Sequence, residues 1–114
     1  MLFAIVEDGT VRVLEDQSAA RREFEGIDVE NGVVTFYAQD GSLLLPRFTR
    51  PNKRKLLGLL VESGEYDLSP SFEATTNVDS FEIAIGEATV VEPNPHFKSI
   101  AEIRAHVERQ KNDR

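Results

Sequence analysis

Cysteine and tryptophan are absent from this chain, and its 114 residues include only one methionine and two histidines. Without cysteine there is no disulfide, no thiolate nucleophile and no thiolate-ligated zinc or iron–sulfur centre. Long apolar runs are missing too. The two longest, residues 1–6 and 56–61, have six residues each, the second counting Gly58, whereas a membrane-spanning helix needs about 20. A basic leader is also lacking, and Glu7 and Asp8 close the first apolar run before a signal-peptide core could form. These absences make the cytoplasm the expected compartment and argue against a membrane partner.

Short catalytic signatures are equally scarce. Neither G-x-S-x-G nor S-x-x-K occurs, so no serine sits in a nucleophile context. Gly58 and Gly64 stand alone rather than in a phosphate-cradling or dinucleotide-binding pattern. His96 and His106 are ten residues apart, not at the i and i+4 spacing of a helical metal pair. Glu7-Asp8, Glu15-Asp16 and the alternating Glu65 and Asp67 suit turns, caps and exposed strand faces rather than an acid–base pair. No catalytic residue, metal ligand or cofactor is therefore expected, and a binding protein is favoured over an enzyme.

Charge, by contrast, is plentiful. Twenty acidic and 13 basic residues leave a net charge of −7, which disfavours nucleic acid, since phosphates demand a basic surface. The charge is unevenly placed. Residues 1–46 carry nine acids and three bases, residues 47–55 five bases and no acid, and residues 56–97 eight acids and no base. A basic island thus separates two acidic blocks. With 40% hydrophobic and 29% charged residues, the composition suits one folded domain, expected over residues 1–109 with a polar tail at 110–114.

Patterning gives the elements. Residues 1–7 read as a strand, Asp8-Gly9 as a type I′ hairpin turn, and residues 10–14 alternate. Asp16 is a candidate N-cap for a helix that pairs Ala20 with Phe24 and stops at Gly26. Residues 27–30 alternate as a strand, Asn31-Gly32 and Asp40-Gly41 signal further hairpins, and residues 33–38 and 42–48 are strand-like. Pro46 requires its strand to end or to run along an edge. Residues 56–62 and 65–68, joined by Ser63-Gly64, are expected to pair with each other. Residues 79–89 fit either period; helix is preferred, pairing Phe81 with Ile85 and opening with Asp79 and Glu82. Ser99 to Glu102 forms a capping box ahead of a final helix striped by Ile100, Ile103 and Val107. Adjacent Phe36 and Tyr37 fall on opposite faces of a strand, a hint of an interface.

The expected fold is α+β: an antiparallel sheet of meander-like hairpins with two or three helices packed on one face. Two functions compete for it. The first is a non-catalytic protein that binds a protein partner, a basic one, as inhibitors and toxin-immunity proteins do, with Glu65, Asp67 and Glu73 as candidate contacts. The alternative is a small-molecule-binding or enzymatic domain in which Arg47, Arg50, Arg54 and Lys55 of the loop 47–55 hold an anionic ligand. Against the alternative stands a plainer role for those cations, balancing the acidic blocks and protecting a sheet edge. A concave pocket lined by the arginines would favour the anionic ligand.

Overall fold

In the computed structural model, which describes residues 1–56, 60–70 and 74–113, β1 (Leu2–Val6) and β2 (Thr10–Leu14) form the opening hairpin, with Phe3 opposite Val13. Its turn is not type I′, because only Gly9 has a positive φ, at 93°. A three-residue loop ends on that left-handed glycine instead. The Asp8 carboxylate accepts from the Thr10 amide at 2.9 Å, and that bond is the main reason its pKa is lowered. The same device joins β3 (Val34–Ala38) to β4 (Leu43–Arg50): Gly41 has φ 85° and Asp40 accepts from the Ser42 amide at 2.9 Å.

The main sheet has the order β7-β4-β3-β1-β2-β8, with β7 at Glu65–Pro70 and β8 at Val90–Val91. All neighbours are antiparallel except β2 and β8. Four helices complete the described residues: α1 (Gln17–Glu23), α2 (Gly26–Glu30), α3 (Ala74–Glu87) and α4 (Ile100–Asn112). The class is α+β. Helices, however, cover both faces rather than one. Leu2, Ala4 and Phe36 pack with Ala20 of α1, Phe24 at its C-terminal cap and Val29 of α2. Phe3, Ile5, Val11 and Tyr37 pack with residues of α3 and α4 on the other side. The reason lies in β1, where Leu2 through Ile5 are all buried: a central strand apolar on both faces needs cover on both. Phe36 and Tyr37 accordingly each meet a helix layer, and neither ring is left for an interface.

Three local expectations change. Residues 27–30 belong to α2, and Gly32 (φ 74°) ends that helix, its amide reaching Val29 O at 3.2 Å. A left-handed glycine after asparagine serves a helix terminus as well as a hairpin. Residues 79–89 fall largely in α3, as preferred, but that helix begins at Ala74, so Asp79 lies within it rather than at its cap. Finally, 56–62 and 65–68 do not pair with each other. β5 (Lys53–Lys55) pairs with β6 (Leu60–Glu62) in a two-stranded sheet of its own, nested within the β4–β7 pair to form a ribbon; residues 57–59 lie outside the described ones. Pro46 sits within β4 opposite Leu68, past the Leu43–Leu44 segment that pairs with β3. Its missing N–H therefore faces a side with no strand partner.

On α4 the Ser99 hydroxyl accepts from the Glu102 amide at 3.1 Å, while the Glu102 carboxylate takes the Lys98 amide. The helix continues to Asn112, beyond the start of the expected tail. Ser99→Ala is expected to cost about 1 kcal/mol in urea denaturation, the loss of one first-turn acceptor.

His106 gives α4 a pH dependence. Its ring lies 5.1 Å from Phe97 and 6.3 Å from Phe3, with Nε2 3.0 Å from Gln39 Oε1. Burial, helped by Arg109, lowers its pKa below the ordinary 6.5. The unfolded chain therefore protonates first as the pH falls. This contribution is complete above about 6.5 and is lost progressively as pH falls through that value towards the lower folded one. Urea midpoints from pH 7.5 to 5 should fall less for His106→Gln than for the parent; parallel curves would contradict this.

Candidate functional site: the cleft between α1 and the ribbon

Asp16 caps α1, accepting from the Ala19 amide at 2.9 Å. The next residue ties the helix to the sheet edge. The Gln17 side chain donates to Leu68 O at 2.9 Å and accepts from Leu68 N at 3.0 Å. Alternation of the ladder turns both peptide groups of Leu68 away from β4, towards the open edge of the sheet. One side-chain amide thus replaces a neighbouring strand. Pro70, the next residue facing outward, has no N–H to offer, and the edge is closed to further pairing there. One turn along α1, the Tyr66 hydroxyl donates to Phe24 O at 2.9 Å and lies 3.1 Å from Ala20 O. Burial pushes the Tyr66 pKa up to about 12, so the phenol stays a neutral donor at physiological pH.

The far end of the cleft is a joint between α2 and the ribbon. Asn52 donates to Gly26 O at 3.1 Å and to the Glu30 carboxylate, and its Oδ1 accepts from Gly64 N at 2.7 Å. The backbones come so close that a Cβ on Gly64 would lie 1.9 Å from Arg50 O. Glycine is required there by proximity.

Beside this joint opens a cleft of about 540 Å³. Arg21 of α1, Phe24 and Glu25 of the turn into α2, and Gly26 at the start of α2 line it on the helix side, with residues 63–67 and Thr49 from the ribbon. Its charged groups are the carboxylates of Glu25, Glu65 and Asp67 and the guanidinium of Arg21. Arg21 Nη1 is 3.3 Å from Asp67 Oδ1, and Nη2 donates to Ser18 Oγ at 3.3 Å.

The residues singled out in the sequence are distributed as follows. Glu65 and Asp67 both line the cleft, with side chains 67% and 61% exposed; Glu73 lies outside the described residues. Arg50 stands 3.6 Å from Glu62 and from Glu65, and Arg54 4.0 Å from Glu30. Arg47 is opposite Asp67 in register, and Lys55 ends β5 opposite Leu60. The basic island and part of the second acidic block are therefore facing strands of one ribbon. Among the described residues of 47–55 Thr49 alone lines the cleft, and the arginines do not converge on it.

Gln17, Arg21 and Glu25 were not singled out in the sequence. Gln17 and Arg21 lie one turn apart on α1 and Glu25 follows in the link to α2, but the strand they meet begins about 40 residues or more further along the chain. Among the described residues, no three histidines or carboxylates are grouped to hold a metal ion, and no helix is long and apolar enough to cross a membrane. No protein-family model matches the chain, and neither do curated proteins or solved structures.

Proposed function

We propose that this chain is a non-catalytic binding protein that takes a basic protein partner at the cleft between α1 and the ribbon, as an inhibitor or immunity protein would, within the cytoplasm. One observation carries the reading: a concave opening lined by three carboxylates and one guanidinium, with Glu65 also paired to Arg50 from outside the lining, on a chain of net charge −7. An incoming arginine or lysine can set its charged head beside Asp67, near Glu25 and Glu65. Exposed carboxylates of this kind act chiefly on the rate of encounter. The alternative, an anionic ligand on the basic loop, is weakened because Arg50 and Arg54 already face carboxylates of their own chain.

The test is affinity capture from the native cell with mass spectrometry, followed by stopped-flow association with the protein recovered. Glu65→Gln with Asp67→Asn should slow association several-fold and flatten its salt dependence, which is set by a Debye length of about 10 Å at 0.1 M. Arg50→Gln with Arg54→Gln should leave the rate unchanged or raise it, since it releases Glu65 and Glu30. A defect confined to the arginine pair would overturn the proposal in favour of the anionic-ligand alternative.

A further inference from the structure

We infer that Arg21 is a tethered stand-in for the partner's cation: it occupies the cleft in the free protein and must be displaced when a basic side chain enters. This rests on the cleft being the binding site, as proposed above, and adds how the site is held before it is filled.

Arg21 reaches from the helix wall to a carboxylate on the strand wall, through one nitrogen to one oxygen, at 3.3 Å. Its other terminal nitrogen is held by Ser18 one turn earlier on the same helix. The contact is therefore a single-point bridge, with the second Asp67 oxygen open to a partner. An incoming guanidinium can take both oxygens as a planar fork, the stronger geometry. Displacement is cheap, because the side chains of Arg21 and Asp67 are 38% and 61% exposed and such pairs contribute little to stability. α1 meanwhile stays in place without this bridge, since Gln17 and the Tyr66 hydroxyl hold it to β7. Arg21 is thus free to leave, and while it remains it offsets the charge of Asp67, as Arg50 offsets that of Glu65. Ligands that bring no cation gain nothing by displacing it, which sharpens selection for basic ones.

The experiment uses the full chain and a fluorescent arginine-rich nonapeptide as probe, with affinities from anisotropy at low salt. Arg22, next in the chain, is exposed and does not line the cleft, so Arg22→Gln makes the same change in net charge outside the site. Arg21→Gln is expected to bind the peptide about threefold to fivefold more tightly than Arg22→Gln, the range an exposed ion pair allows. Arg21→Lys should restore parental affinity, and Asp67→Asn should weaken binding. Equal affinities for Arg21→Gln and Arg22→Gln, with Asp67→Asn still weakened, would overturn the role of Arg21 and leave the cleft as the site. Indifference to both Asp67→Asn and Glu65→Gln would instead remove the cleft itself, and the inference with it.

Discussion

Ile103→Ala is expected to destabilise the protein by about 2–5 kcal/mol in urea denaturation, the largest effect of any single replacement considered for this chain. Ile103 has no exposed surface, and with Val107 it carries α4 onto the face of Phe3, Ile5, Val11 and Tyr37. Truncation removes transfer energy and leaves a cavity that a close-packed core fills only partly by relaxation. Set against a total stability of about 5–15 kcal/mol for a typical domain, that is a substantial fraction. A neutral result would mean that α4 is not docked on the sheet.

Gly64→Ala should cost about 1–3 kcal/mol, as overpacking against immovable atoms does. Its Cβ would meet Arg50 O at 1.9 Å and the Pro51 carbonyl carbon at 2.6 Å, both backbone, so side-chain adjustment gives no relief. The damage should concentrate at the joint held by Asn52, with faster amide exchange at Gly64 and Glu65 than in β1. Gly32 provides the contrast. Nothing lies within 4 Å of a Cβ there, but φ is 74°, so Gly32→Ala should cost about 1–2 kcal/mol through backbone strain alone. Equal exchange rates at the joint in parent and Gly64→Ala protein would contradict the close approach.

The cleft depends on both positions where α1 and α2 meet the ribbon. Gln17 fixes α1 against β7 near the Pro46–Leu68 pair, and Asn52 fixes the ribbon against α2. Glu25, Glu65 and Asp67 stand around one opening because these two amides, each using both its donor and its acceptor, set the separation of the walls.

Short-range chemistry was legible in the residues themselves. Asp16 and Ser99 cap their helices as their side chains allow, Gly9 and Gly41 turn their hairpins, and Phe81, Ile85, Ile103 and Val107 are buried at helical spacing. Each of these is settled within about one turn of chain, where the capping oxygen, the left-handed φ or the apolar stripe acts on its immediate neighbours. What lay beyond that range was decided by tertiary structure. Residues 27–30 read as a strand, yet they form α2, whose Val29 packs in the layer with α1. The charge blocks read as separate patches, yet nesting of β5 and β6 inside β4 and β7 laid the basic island beside its own carboxylates. The candidate site is the extreme case: Arg21 and Asp67 are 46 positions apart, and only the packing of α1 against the sheet edge makes them neighbours.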